Sequence, residues 1–339
     1  MRTPLAVAVL SRAASFAAVA ALLPVLPAAA QPADRQTWSV APASASGPDG
    51  RARFDHVVEP GMRYDDHLAV RNLGERDLTL DLYAGDAVNT GTGGFDLLAR
   101  DEASAVVGDW VTLSSPQVVV PARDTVVVPF SVTVPADAEP GDHVGGLVAA
   151  LTSGGNTPVE VERRVGSRLY VRVAGPITAS VRVDSVTPTY RGTPNPAGTG
   201  EVDVTCTIVN EGNLRLALRP SAAVSGPFGL GERSTTGEVL PELLPGNAVT
   251  LTLTVAGVWP LGPLDVRVRA EPVASAAQSL GGAVEPATAD ASVWAVPWTA
   301  LGALALFLGT VIALWRVRRK IRVLREQPSR TGGKALAES

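Results

Sequence analysis

Between Trp38 and Glu271 apolar residues recur at every second position, in short segments rich in Val, Leu and Thr and cut by Pro and Gly. Period two is the signature of half-buried strands, and no 3.6-residue periodicity competes with it. His67–Asn72 and Asp77–Tyr83 read as strands joined around Asn72-Leu73-Gly74. Gln117–Val120 and Thr125–Val134 read as a hairpin around Pro121-Ala122-Arg123-Asp124. Pro135, Pro140 and Gly141 turn the chain into Val144–Leu151, and Arg168–Val173 closes the set. About seven short strands without helices predict an antiparallel sandwich.

The same order of signals then returns. Val202–Val209 leads into Asn210-Glu211-Gly212-Asn213 and Leu214–Val224; Leu244-Pro245-Gly246-Asn247 opens Ala248–Val255; and Pro260-Leu261-Gly262 precedes Leu264–Ala270. The predicted fold class is all-β: two tandem immunoglobulin-like β-sandwiches, 31–175 and 176–272, meeting near Gly175-Pro176. The halves differ in one place. Asn72 to Pro121 spans 49 residues and Asn210 to Pro245 spans 35, and the excess falls in the Gly-rich, acidic stretch Asp86–Trp110. Residues 273–292 read either as a stalk or as a last hairpin with a return strand over Glu285–Trp294.

The pattern changes at Val293–Trp315, an uncharged and mostly apolar run of 23 residues. At ~1.5 Å per helical residue it reaches across a hydrocarbon core of roughly 30 Å, so a single transmembrane helix is expected over 293–315. The tail 316–339 holds eight Lys/Arg against two Glu, which makes it cytoplasmic by the positive-inside rule and puts the β region outside. The first 30 residues, with Arg2 and Arg12 around an Ala/Val/Leu run ending Ala28-Ala29-Ala30, read as a cleaved signal peptide. The expected location is therefore the cell membrane, single-pass, with the β region at the cell surface.

Charge and cysteine narrow the chemistry. Residues 31–292 hold 31 Asp/Glu against 19 Arg and no Lys, an acidic surface that repels phosphate and argues against nucleic acid as a partner. The single cysteine, Cys206, lies on the apolar side of an alternating strand and is read as a core thiol. Asp65-Asp66-His67 reads as a strand start with solvated charges. No metal-ligand spacing or nucleophile elbow is present and the lone cysteine has no catalytic setting, so neither cofactor nor metal nor enzymatic activity is expected. Long loops on rigid sandwiches carry binding, and a glycan site needs aromatic faces beside amides and carboxylates. Tyr83, Asp86, Asn89, Phe95, Asp96 and Trp110, in or flanking the long loop, are the candidates, with His143 after the Pro140-Gly141 turn.

Trp110-Val111-Thr112-Leu113, Val119-Val120-Pro121, Val132-Thr133-Val134-Pro135 and Pro140-Gly141-Asp142-His143-Val144-Gly145-Gly146-Leu147 together resemble a known family. They look like the peptidoglycan-binding domain of the WxL-interacting proteins of Gram-positive bacteria. The plan of signal peptide, immunoglobulin-like domain, second β domain, one span and basic tail is similar, and Asp86 with Gly91–Leu97 resembles the family's Asp…Gly-x-Phe stretch. The resemblance covers about residues 38–175 and implies a non-enzymatic surface protein that binds cell-wall peptidoglycan and scaffolds a WxL-type or other secreted partner. The alternative is an extracytoplasmic assembly factor or chaperone that holds a secreted chain by strand addition. Trp259-Pro260-Leu261 spells the tripeptide of a WxL partner but sits in a turn and is treated as coincidence.

Overall fold

The computed structural model describes residues 36–153, 161–273 and 284–325. The expected signal peptide, the end of the basic tail and most of the 273–283 connection lie outside the described residues. The N-terminal β half runs β1 (Trp38–Ser44), β2 (Gly47–Pro48), β3 (Phe54–Val58), β4 (Arg63–Asn72), β5 (Leu78–Asn89) and β6 (Phe95–Leu97). A one-turn helix α1 (Val107–Trp110) follows, then β7 (Val111–Leu113), β8 (Gln117–Val120), β9 (Thr125–Thr133), β10 (Gly141–Ser153) and β11 (Val161–Val173). The C-terminal β half runs β12 (Val181–Arg191), β13 (Gly200–Asn210), β14 (Leu216–Ser225), β15 (Arg233–Thr236), β16 (Leu240–Leu243), β17 (Ala248–Val258), β18 (Gly262–Val273) and β19 (Ala287–Ala295). The chain is thus mostly β, ending in one long apolar helix, α2 (Trp298–Arg325).

In the N-terminal half the sheet β2-β1-β4-β9-β7 faces the sheet β3-β11-β10-β5-β6, to which β8 adds beside β5. In the C-terminal half β12-β13-β17 accompanies β15-β14-β18-β19, with β16 beside β14. Alternation decides which side chains enter each core. Leu78, Leu80 and Leu82 are buried while Thr79 is exposed, and Leu264, Val266, Val268 and Ala270 are buried while Asp265, Arg267 and Arg269 face out. One core gathers Phe54, Leu68, Leu80, Phe130, Leu147 and Leu169; a second gathers Val204, Cys206, Ile208, Leu216, Leu218 and Val266. Each fully buried Leu or Phe contributes about 1.5–3 kcal/mol, so these rows fix strand register.

Two expectations change and one open alternative is resolved. The hairpin expected around Pro121–Asp124 is an arch: β8 pairs with β5 in one sheet while β9 pairs with β4 in the other. Its counterpart behaves alike, since β16 pairs with β14 and β17 with β13. A proline-led turn marks a reversal, but the partner of each strand is chosen by which sheet buries its apolar row. The apolar run 293–315 is divided: Val293–Ala295 finishes β19, Val296 and Pro297 turn, and α2 begins at Trp298. The Pro297 carbonyl accepts the first helical bond from Leu301 N–H at 2.9 Å. Between stalk and hairpin the structure has the hairpin, with β19 antiparallel to β18 from Gly262↔Ala295 to Ala270↔Ala287. The helix is long and apolar enough to cross a membrane, and its apolar side chains are exposed.

What the repeated Asn-x-Gly does is now explicit. Asn72 is fully buried; its Nδ2 donates to the carbonyls of Arg76 (2.7 Å) and Val120 (3.1 Å), and its Oδ1 accepts from Gly74 N–H. Asn210, also fully buried, donates to Leu214 (2.7 Å) and Leu243 (2.9 Å) and accepts from Gly212 N–H. In both halves the asparagine N–H binds the end of the proline-led arch, at Asp124 or Asn247. One side chain therefore satisfies the inward carbonyls of two arches at once. Asn210→Ala leaves two buried carbonyls without donors and is expected to cost about 1–3 kcal/mol of unfolding free energy in a urea titration. An exposed-residue control such as Glu238→Ala should change little, within about 0.5 kcal/mol.

Candidate functional site

The 86–110 segment closes on its own protein. Residues Asp86–Asn89 continue β5, which pairs with β6 across a tip at Thr90–Gly94. That tip reaches the C-terminal half: Asn89 Nδ2 donates to Glu242 O (2.9 Å), its Oδ1 accepts from Leu244 N–H (2.8 Å), and Gly91 O accepts from Thr250 N–H of β17 (2.9 Å). Asn247 Oδ1 in turn accepts from Asn89 N–H. The Asp86 carboxylate accepts from the N–H groups of Ala105, Val106 and Gly108, which pins the return of the loop onto β5. Asn89 and Asp86, both proposed from sequence as ligand-binding groups, spend their polar atoms inside the protein.

The Pro140–Gly146 turn lies in the same seam. Gly141, at φ +130°, sits so close to Asn213 that a methyl there would come within 2.4 Å of its carbonyl oxygen. Asp142 N–H donates to that carbonyl at 2.7 Å, and Asn213 Nδ2 donates to Pro140 O at 2.8 Å. Buried Asp142 accepts the fork of Arg172 at 2.6 and 2.9 Å and the backbone N–H of Arg215 at 3.1 Å. The buried Arg215 guanidinium lies 3.8 Å over the Tyr170 ring and within 4 Å of Asp142, Asp55 and Glu242. Tyr170 O–H donates to Glu242 at 3.0 Å; burial, reinforced by the Glu242 charge, raises the phenol and keeps it a donor. Two cations, Arg172 and Arg215, and three carboxylates, Asp142, Asp55 and Glu242, thus interlock across the two halves with the Tyr170 face beside them. A cleft of about 580 Å³ remains beside this network, where Asp86 and His143 come together. His143 Nε2 donates to Glu139 O (2.7 Å), and its ring is 4.9 Å from Trp110, which is buried in the N-terminal core.

The remaining candidates mark a second place. A methyl at Gly146 would fall 2.5 Å from Leu97, so the bare backbone of β10 is what lets β6 lie across the outer face of the sheet. Phe95, Asp96 and Leu97 with Val148, Arg164, Gly166 and Arg168 of β10 and β11 enclose an outward groove of about 340 Å³. Arg168 stacks on Phe95 at 4.0 Å and is held by Glu242; Arg164 reaches Leu97 O and lies 3.9 Å from Asp96. Tyr83 borders the groove through its hydroxyl, 3.5 Å from Arg164. Both guanidinia keep solvent-facing edges, at 31% and 48% side-chain exposure. Sequence reasoning missed them, although the period-two row Arg164, Arg168, Arg172 on one strand was readable as one face.

Two minor sites resolve simply. Cys206 is fully buried and burial raises its thiol to about 11, so it packs as an apolar group. Asp66, expected to be solvated, is buried and receives the fork of Arg51 at 2.8 Å, with His56 at 3.2 Å. Among the described residues no group of three or more His, Cys, Asp or Glu is placed to hold a metal ion.

No family model matches the chain, and no curated protein matches it. Among solved structures it is similar to a chaperone–tip adhesin complex of CFA/I fimbriae biogenesis, at 10% identity over 77% of this chain and 99% of that one, with a TM-score of 0.37. It is also similar to the CupB2 chaperone of Pseudomonas aeruginosa, at 13% identity over 72% and 99%, with a TM-score of 0.30. The E. coli chaperone DraB gives 12% identity over 75% and 98%, with a TM-score of 0.32. At this distance the likeness assigns no function.

Burial holds the His56 imidazole below its ordinary value, against the pull of Asp66. Burial raises Asp66, but the Arg51 fork and the His67 N–H outweigh it and hold the carboxyl low. Both groups bind protons less readily folded than unfolded, so acid favours the unfolded chain. Stability should fall below about pH 6.5 as unfolded His56 takes a proton, and again below about pH 4 through Asp66. In urea titrations across pH, His56→Phe should flatten the first step and leave the second. Asp142→Ala, which removes the fork partner of Arg172 and one of the three carboxylates around Arg215, is expected to lower unfolding free energy by about 3–5 kcal/mol at pH 7.

Proposed function

We propose that the chain is a non-enzymatic, membrane-anchored surface protein whose two tandem immunoglobulin-like sandwiches act as one rod, binding cell-wall peptidoglycan through the outer face of the N-terminal half. The observation that carries this is the Phe95–Arg164–Arg168 groove on the β10–β11 face. Stem peptides of a wall polymer carry carboxylates that match a guanidinium fork, and its sugars present faces for an aromatic ring. The groove is open to solvent, lies outside both cores and is built on rigid strands. The resemblance of residues 38–175 to a peptidoglycan-binding domain supports the same assignment, with the face rather than the seam as the contact surface. The expected topology puts both β halves outside the cell, with α2 as the anchor and the basic tail inside.

A second reading rests on a separate observation. Strand β3 covers β11 only at Leu169–Val173, so among the described residues Val161–Arg168 has a paired strand on one side only. An eight-residue open edge is a template for strand addition, and a secreted partner held there would make the chain an assembly factor.

Purified sacculi separate the two. Arg164→Ala combined with Arg168→Ala should weaken sedimentation of the detergent-solubilised full chain with sacculi by about tenfold or more, with the circular dichroism spectrum unchanged. Phe95→Ser with Asp96→Ser should weaken it in the same direction. Sedimentation that survives both double variants would refute the groove. Sedimentation lost only when proline is placed within Val161–Arg168, or seen only with a co-purified secreted protein, would favour the edge.

A further inference from the structure

The end of the C-terminal half from which α2 leaves is unlike the rest of the surface. Three connections meet there: 192–200, 226–231 and 256–264. The pairings Gly200↔Val258, Ser225↔Asp265 and Gly262↔Ala295 place their strand ends together, and Thr299 Oγ1 donates to Thr193 O at 3.3 Å. None of the three contains Asp, Glu, Lys or Arg, although the β region as a whole is strongly charged. The second and third carry large apolar side chains into solvent instead. Phe228, Leu230, Trp259 and Leu261 are all exposed, and Trp294 and Trp298 flank the two-residue link to α2.

Phe228 is the extreme case. Its side chain touches nothing, at 101% exposure, and its backbone is held at φ 60°. A bulky residue in that region is strained, and such strain persists where the surroundings impose it and function uses it. Leu261 packs within reach of Gly226 and Gly231, so the 226–231 and 259–261 tips form one surface. Uncharged tips with exposed aromatic and aliphatic side chains, edged by tryptophans and by the charges of Arg191, Glu232, Arg233 and Asp265, suit the boundary between lipid headgroups and acyl chains, where rings present an apolar body and a polar edge. What lies against it follows from chain length. β19 ends at Ala295 and α2 starts at Trp298, so two residues separate the sandwich from the helix.

We propose that this end of the C-terminal half is seated in the interface of the bilayer that α2 crosses, with Phe228, Leu230, Trp259 and Leu261 inserted among the lipid headgroups. The proposal rests on the reading of α2 as a membrane span. The bilayer then fixes the tilt of the β rod, which a single helix on a flexible stalk would leave free.

The test uses the full chain in phosphatidylcholine–phosphatidylglycerol vesicles, with one fluorophore on an introduced cysteine; native Cys206 is buried and out of reach. Labels go on Phe228→Cys, Leu230→Cys, Glu75→Cys at a loop of the other half, and Leu308→Cys in mid-helix. Lipids spin-labelled near the headgroup should quench positions 228 and 230 at least about twofold more than position 75. Lipids labelled deep in the chain should quench position 308. Labels at 228 and 230 that behave like position 75, while 308 is quenched, overturn the seating and leave the span intact. A label shielded from water yet unquenched by lipid would mean that protein covers the patch, which also overturns it. If 308 is unquenched as well, the span falls and the seating with it.

Discussion

The carboxylate of Asp142, buried between the guanidinium of Arg172 and the backbone of Arg215, is the contact on which the arrangement of this molecule depends. Arg172 shares the N-terminal half with Asp142 and balances its charge there, whereas Arg215 comes from the C-terminal half, so the backbone bond and the second guanidinium are present only while the halves are docked. Burying charge is costly unless the geometry is satisfied on every side. Here Tyr170 supplies a ring face and Glu242 a second carboxylate, and Glu242 also holds Arg168 at the groove. The seam and the proposed wall-binding face are therefore mechanically connected.

The halves are built on one plan, with Asn72 and Asn210 each tying two arches. Their one large difference, the 86–110 insertion, pays for the docking: its tip bonds Glu242, Leu244 and Thr250, and its return strand lies across the bare backbone of β10. The Gly145-Gly146 pair that follows the Pro140-Gly141 turn serves that packing. A methyl at Gly145 would strike Val107 and one at Gly146 would strike Leu97, so the pair is a platform for the insertion. The same long loop that suggests ligand binding in sequence is, in three dimensions, mostly a clamp.

Strands were legible wherever one face alternates cleanly, as in Leu78–Leu82 and Leu264–Ala270, because burial on a single face leaves period two in the sequence. In Val181–Arg191 the alternation is broken by a bulge between Val183 and Ser185, which shifts the inward positions from odd to even numbers and hides the strand. Partner choice was not legible either: Pro121 and Pro245 announce reversals, but the sheet that receives each strand is decided by long-range packing. The beginning of α2 was masked because Val293 and Trp294 are as apolar as a membrane helix while serving an exposed strand. Of the candidate residues, Phe95 and Asp96 do line an open groove, whereas Asn89 and Asp86 are consumed by backbone partners. Nothing local distinguishes an asparagine that binds a ligand from one that binds a distant carbonyl.

The seam bonds the two β halves to each other through Asn89, Asp142 and Asn213, and two residues link β19 to a helix long and apolar enough to cross a membrane. The most direct test is the distance between spin labels at Glu75→Cys and Glu238→Cys in the full chain, measured by pulsed electron resonance. A locked seam gives a single narrow distance distribution that broadens when Asp142→Ala is introduced. A broad distribution in the otherwise native chain, unchanged by that substitution, would contradict the account.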